Sequence, residues 1–356
     1  MALRDIGANY ECVGWSEIDR WAIKAHNAVF PELADRNYGD ITKIDWNAVP
    51  DFDLFTYSFP CTDISSAGEQ KGFEEDSGTR SSLLWECRRP IAAKRPKFLL
   101  MENVKALVSD KYRPLFLKWE SWLRSLDYVN YTEILNAKDY GVPQNRERVF
   151  MLSILNGCWY EFPHPVRLEK RLKDVLELEV DEKYFLNECG INYVKKKFGK
   201  YTAINGEVAM CLTAKGCANW TGTFISDKSI QIGVTKETDW NRQQYRVYDP
   251  TGISSTITTK SGGGLEPKIL MRGRGFNKGG EADIPEQNNL LDYAGCIRRL
   301  TPRECLRLMD VSDGDIDKIQ AAGISDTQQY KLAGNSIVKA PMMGIFRNML
   351  KYGLCE

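Results

Sequence analysis

Apolar residues in this chain fall into two spacings, and each predicts a different element. Short continuous apolar runs at residues 53–57, 97–101, 128–135 and 149–155 read as buried strands, too short for helices and bounded by polar residues. Residues 18–30, 83–93 and 114–126 carry apolar positions at helical spacing instead. In the first of these Trp21, Ala22, Ala25 and Val29 fall on one side. Nearer the start, residues 3–6 read as the tail of a helix closed by Gly7, residues 10–16 as a strand ending at Glu17, and residues 39–41 as a strand end. Strands alternating with helices predict an α/β fold with a largely parallel sheet.

Past Pro163-His164-Pro165 the helical spacing fades, and from about residue 166 to 296 glycines, threonines and short β-like pieces dominate. The expected organisation is a large α/β domain at 1–165, a small β-rich domain at 166–296, a hinge and helix at 297–325, and a C-terminal segment at 326–356 that packs back on the large domain. Helical order resumes at Thr301-Pro302-Arg303-Glu304, a capping box with Thr301 as N-cap and Pro302 in the first helical position. The last helix is expected to run to about Lys351 with a kink at Pro341. Inside the small domain, residues 211–216 and 257–262 echo each other as strand-turn units, too few for a solenoid.

With 43% hydrophobic and 27% charged residues, a chain of 356 residues can bury a core in each of two domains. Its 48 basic and 48 acidic residues cancel, so a polyanion would have to be met by a local basic surface. The 10 cysteines show no repeating spacing and no CxxC pair, and there are only 2 histidines. Neither a disulfide framework nor a metal site is expected. The first residues lack a signal peptide's apolar region and no apolar run reaches the length of a membrane span, so a cytoplasmic protein is expected.

Chemistry enters at Phe59-Pro60-Cys61-Thr62-Asp63-Ile64-Ser65, just past the strand at 53–57. Pro60 takes the chain out of the strand and leaves Cys61 on a loop at the strand's carboxyl end, where open α/β sheets carry their sites. A lone cysteine is more often a small buried hydrophobe than a nucleophile, so the case depends on what accompanies it. The polar stretch at 65–82 is long for a simple connection, as lids and binding loops are, and Gly68, Gly72 and Gly78 suit hinge duty there. A cysteine hydrolase would want a histidine base, yet His26 falls within a predicted helix and His164 between two prolines.

Taken in order, Pro60-Cys61, Glu102-Asn103-Val104, Gln144-x-Arg146-x-Arg148, Arg299-Leu300-Thr301-Pro302-Arg303-Glu304 and Gly334-Asn335-Ser336 resemble the motifs of the cytosine-5 DNA methyltransferases across nearly the whole chain. The resemblance implies a Rossmann-like large domain that binds S-adenosylmethionine and a small domain that recognises the target in double-stranded DNA, whose cytosine is flipped out to be reached. It implies Cys61 as the thiolate that adds to carbon 6 of the base, Glu102 as the acid at ring nitrogen 3, and Arg146 as the cation that helps thiolate and base. Glu17, Ile18, Asp40, Pro60, Leu83, Asn335 and Ser336 match cofactor-pocket positions, with Glu17 on the ribose hydroxyls. Ser65, Arg148, Lys215 and Lys260 are expected to contact DNA, and the clusters at 195–197 and 272–274 to neutralise phosphates. The stretch at 65–82 resembles the family's loop that closes over bound DNA. A monomer on DNA is expected from the family resemblance, which also allows a cognate restriction endonuclease encoded nearby without requiring one.

One part of the pattern is absent from this sequence. The family's glycine-rich Phe-x-Gly-x-Gly turn and its strand would precede Leu3, a difference of roughly ten to twenty residues on usual strand and loop lengths. That turn lets backbone approach the cofactor closely. The other motifs are intact, which disfavours a non-catalytic DNA-binding relative, and the long small domain disfavours an RNA methyltransferase. The chain as written is therefore expected to bind S-adenosylmethionine weakly and to turn over slowly or not at all. Cofactor titration of this chain beside one extended upstream measures the difference, and equal affinities would remove the expectation.

Overall fold

The computed structural model describes residues 1–61, 63–64, 71–157, 159–185 and 297–352, together with 202–204, 208–212, 222–226, 231–234, 246–248 and 268–269. The chain divides into two compact units. One comprises Met1–Val175, Glu207–Ala214 and Pro302–Glu356; the other comprises Leu176–Gly206 and Lys215–Thr301.

The first unit is built on a sheet of β1 (Leu54–Tyr57), β2 (Phe98–Val104), β3 (Tyr128–Asn136) and β5 (Glu147–Leu155), in the order β1-β2-β5-β3. The two-residue β4 (Gln144–Asn145) lies just before β5. Alternate residues of the central strands face opposite ways, and both faces are covered. Leu99, Met101, Val149 and Met151 join one cluster with Ile91, Phe116, Trp119 and Leu123 from α3 (Arg88–Lys94) and α4 (Arg113–Arg124). Phe98, Leu100, Phe150, Leu152 and Ile154 join the other, with Ile345, Phe346 and Met349 from the C-terminal helix. Two buried faces explain why these strands read as unbroken apolar runs.

The largely parallel sheet expected from sequence is corrected here. β1 pairs with β2 in parallel, but β5 is antiparallel to both β2 and β3. Between β3 and β5 the chain has only a 3-10 turn (Ala137–Tyr140) and β4, too little for a crossover helix, so it returns antiparallel. Glu102, Asn103 and Val104 belong to β2 itself, where the sequence places them after the strand.

The N-terminal region also departs from expectation. Residues 10–16 form no strand: only Trp15 bridges to Asn37, through hydrogen bonds with Arg36 O and Tyr38 N, and a strand needs a partner along its length. Residues 39–41 lead into a 3-10 turn (Ile41–Lys43) capped by the Asp40 carboxylate. α1 (Ala2–Asp5) does end at Gly7, which takes the left-handed φ of 71°. α2 (Arg20–Val29) starts after Asp19, whose side chain accepts from Trp21 N and Ala22 N, so Ile18 precedes the helix.

The chain after 301 is helical: α5 (Pro302–Arg307), α6 (Asp313–Ala321), α7 (Asp326–Asn335) and α8 (Lys339–Tyr352). α8 is one element, because Pro341 falls in its first turn, where a missing N–H costs no helical bond. In the second unit β6 (Thr202–Ile204), β8 (Gly222–Ser226) and β12 (Ile297–Arg299) form one small sheet, and β9 (Gln231–Val234), β10 (Arg246–Tyr248) and β11 (Lys268–Ile269) another. β7 (Ala209–Met210) pairs with β4 inside the first unit. The clusters at 195–197 and 272–274, and most of the echoed segments, lie outside the described residues. Among the described residues no helix is long and apolar enough to cross a membrane, and no cluster of His, Cys, Asp and Glu could hold a metal.

Leu152 is fully buried at the middle of β5, whereas Ile134 on the edge strand β3 is exposed. Leu152→Ala should destabilise the protein by about 2–5 kcal/mol and Ile134→Ala by less than about 0.5 kcal/mol, read from urea unfolding midpoints.

Candidate active site

Three strand ends meet at Cys61. β1 ends at Tyr57, opposite Met101 of the parallel strand β2, so Ser58 leaves β1 next to Glu102. β5 starts where the antiparallel β2 finishes, pairing Arg148 with Val104 and Phe150 with Glu102. Sheet register alone therefore gathers a thiol, a carboxyl and a guanidinium. Asn103 Nδ2 donates to the carbonyl of Phe59 at 3.0 Å, tying the Cys61 loop to β2, while the Phe59 ring packs on Phe73.

Glu102 is 7% exposed. Its Oε1 lies 3.3 Å from Arg148 Nε, and its Oε2 accepts from Ser58 Oγ at 3.3 Å. Burial pushes the Glu102 carboxyl above its ordinary range, with Arg148 foremost among the groups holding it back. Burial also pushes the half-buried Cys61 thiol up; Arg148 opposes that shift, and the charge of Glu102 adds to it.

The resemblance implies Arg146 as the cation for thiolate and base; in the structure it is Arg148 that pairs with Glu102, while both guanidiniums act on Cys61. Arg146 is 3% exposed; its Nη1 donates to Leu212 O at 2.8 Å, and its Nη2 to Gly334 O at 3.0 Å and Ser336 O at 2.7 Å. With these hydrogens committed to carbonyls, Arg146 acts on Cys61 and Glu102 more weakly than Arg148 does. Arg148, expected to contact DNA, directs its guanidinium to the Glu102 carboxylate. Gln144 completes the motif as a second tie: its Nε2 donates to Leu308 O at 2.7 Å, and its Oε1 accepts from Leu212 N at 3.2 Å. Gln144 and Arg146 thus join β4 to the 208–212 segment and to the ends of α5 and α7.

Among the positions matched to a cofactor pocket, Glu17, Ile18 and Asp40 come together. The Asn37 carboxamide accepts from Glu17 N and Gly39 N and donates to Glu17 O, so it joins residues 17–18 to residues 39–40. Glu17 Oε1 accepts from Ile18 N at 2.7 Å and Asp19 N at 2.8 Å, while the Ile18 side chain is 70% exposed beside it. Pro60 lies on the Cys61 loop, and Leu83 sits half-buried on the 3-10 helix Arg80–Cys87. Asn335 ends α7 and Ser336 caps it, both exposed. Ser65, Lys215 and Lys260 lie outside the described residues, as do residues 65–70 of the stretch expected to close over DNA. Sequence reasoning missed Ser58, Asn37 and the structural role of Asn103. Each is a small polar residue that follows no periodicity; only Asn103 carried a signal, its place after Glu102.

A sheet that carries its chemistry at the ends of β1 and β2 is an open α/β fold with its site where such sheets place theirs. The solved structure of Entamoeba histolytica methyltransferase EhMeth superposes with a TM-score of 0.68 at 18% identity, over 100% of this chain and 96% of that one. The family model described as C-5 cytosine-specific DNA methylase matches residues 1–351, and the chain belongs to that family: it is a DNA (cytosine-5-)-methyltransferase. It is 38% identical over 318 residues to the type II methyltransferase M2.ScrFI of Lactococcus lactis subsp. cremoris, covering 89% of this chain and 72% of the relative. It is 30% identical to the orphan methyltransferase M.SPBetaI of Bacillus phage SPbeta, covering 98% of this chain and 94% of the phage protein. Membership implies DNA as substrate and a methyl donor as cosubstrate.

The charges around Cys61 have opposite signs of effect on its thiol. Glu102→Gln removes a negative neighbour and should lower the pH midpoint of Cys61 alkylation by iodoacetamide; Arg148→Ala removes the leading positive one and should raise it. Peptide mass spectrometry across a pH series reads both shifts, and midpoints moving the other way would reverse the assignment.

Proposed function

We propose that the chain methylates a flipped-out cytosine in a specific duplex DNA sequence through a covalent adduct with Cys61, using S-adenosylmethionine as methyl donor. The observation that supports this most is the Glu102–Arg148 pair beside Cys61. A carboxyl whose pKa is raised by burial and a thiol facing a guanidinium are what addition across the ring's 5,6 bond requires.

In this mechanism Glu102 carries its proton to ring nitrogen 3 as the Cys61 thiolate forms a bond to carbon 6. The electrons of the 5,6 double bond move to carbon 5, which becomes nucleophilic without a full negative charge building on the ring. Protonated Glu102 no longer opposes thiolate formation, so Arg148 then acts on Cys61 unbalanced, and the two titrations are coupled. Loss of the carbon 5 proton to water, expulsion of the Cys61 sulfur as thiolate and return of the ring nitrogen 3 proton to Glu102 release the methylated base and reset the site. Arg146 and Gln144 act at one remove, holding β4 and therefore the start of β5, which carries Arg148.

The residues present fit the donor. Glu17 offers a carboxylate for ribose hydroxyls, Ile18 an exposed apolar side chain for a flat ring, and Asp40 a further acceptor close by. Pro60, Leu83, Asn335 and Ser336 would complete the pocket. S-adenosylmethionine, when bound, supplies an electrophilic sulfonium methyl. Residues 166–296, a span overlapping the second unit, would read the target sequence, with Ser65, Lys215 and Lys260 at DNA. The chain is assigned to the cytoplasm of a bacterial or phage-infected cell and to a monomer on DNA.

Transfer of tritiated methyl to mixed-sequence duplex DNA tests this. Cys61→Ala should abolish transfer, and Glu102→Gln should slow it by about 100-fold or more. Arg148→Ala should lower kcat more than Arg146→Lys does. Transfer that survives Cys61→Ala would end the covalent reading.

A further inference from the structure

Beside the Cys61 turn, Asp63 and Ser81 form a buried pair. Ser81 is fully buried and Asp63 is 6% exposed. Ser81 Oγ donates to the Pro60 carbonyl at 2.5 Å and accepts from Asp63 N at 3.2 Å. In return, Ser81 N donates to Asp63 Oδ2 at 3.0 Å. One hydroxyl thus holds the peptide before Cys61 and the amide two residues after it. The turn is closed from within as well, since Ile64 N donates to Cys61 O at 3.2 Å.

Both members stand on firm structure. Ser81 lies in the 3-10 helix Arg80–Cys87, whose Leu84 and Trp85 are buried in the core, and Trp85 Nε1 donates to Phe73 O at 2.7 Å. Asp63 O accepts from Gly72 N at 2.9 Å and from Tyr112 OH at 3.4 Å. A side chain of similar size without a hydroxyl would remove the partners of a half-buried carbonyl and of a buried N–H together.

We propose that Asp63 and Ser81 are positioning residues: they fix the backbone on either side of Cys61 against the helix Arg80–Cys87 and so hold the thiol in line with Glu102 and Arg148. The inference rests on Cys61 being the nucleophile. It assigns no chemistry to the pair; the pair restricts where the sulfur can be. A displacement of about 1 Å can cost about 100-fold in rate, so a loosened turn would matter even with every reacting group present.

The test uses Ser81→Ala, which loses both hydroxyl bonds, and Asp63→Asn, which keeps an oxygen to accept from Ser81 N. Single-turnover methyl transfer, DNA affinity and iodoacetamide labelling of Cys61 in the free protein are measured for each. Ser81→Ala should slow transfer by about tenfold to 100-fold with unchanged DNA affinity. It should also speed Cys61 labelling and bring its pH midpoint down toward the ~8.5 of a free thiol, as the sulfur leaves the burial and charges of Glu102, Arg148 and Arg146. Asp63→Asn should stay close to the parent in all three. Unchanged labelling in Ser81→Ala, or a loss in Asp63→Asn as large as that in Ser81→Ala, would overturn the proposal. Labelling needs neither DNA nor donor, so it reports on the pair even if Cys61→Ala were to show that the sulfur is not the nucleophile.

Discussion

Burying an ionisable carboxyl costs several kcal/mol unless a partner meets it, and Glu102 is where this protein accepts that cost. It stands near the end of β2, beside strand residues that face two apolar clusters, and among the described residues Arg148 and Ser58 each lie 3.3 Å from its carboxylate. That partial match gives the site its character. Fuller solvation by protein groups would hold the Glu102 carboxyl low, whereas the partial match leaves it raised by burial and leaves Arg148 bearing on Cys61. Much of the surrounding architecture preserves this balance: the antiparallel return of β5 delivers Arg148, the end of β1 delivers Ser58, and Arg146 and Gln144 secure the chain just upstream.

The strands and longer helices were legible because burial imposes a period. Both faces of the sheet are covered, so β2 and β5 show unbroken apolar runs, and α2 and α4 show apolar residues at helical spacing. Strand direction carries no such imprint. An apolar run has the same composition whether its neighbour runs with it or against it, and the deciding fact, a ten-residue link between β3 and β5, is visible only once both strand ends are known. Residues 10–16 misled for a related reason: they have a strand's composition, but only Trp15 meets a partner.

The site was legible as a set of residue types and less so as an arrangement. Cys61 and Glu102 follow from motif order, since each ends an apolar run. Arg146 and Arg148 differ by two positions, and nothing in the spacing says which guanidinium turns toward the thiol and which is consumed by backbone carbonyls of Leu212, Gly334 and Ser336. Those acceptors lie far along the chain, so the distinction exists only in three dimensions. Ser58, Asn37 and Ser81 were harder still, because a single hydroxyl or carboxamide in a loop leaves no pattern.

The two ends of the polypeptide share one cluster: Ala2, Leu3 and Ile6 of the α1 region pack with Ile345, Phe346 and Met349 of α8, and Lys339 pairs with Asp5 at 2.5 Å. A chain made from its N-terminus has Phe98, Leu100, Leu152 and Ile154 ready long before their cover is translated. That face of the sheet must wait on the ribosome through synthesis of the entire second unit. The interval favours chaperone occupancy of the bare face, and a product terminated before α8 would leave that face open to proteases.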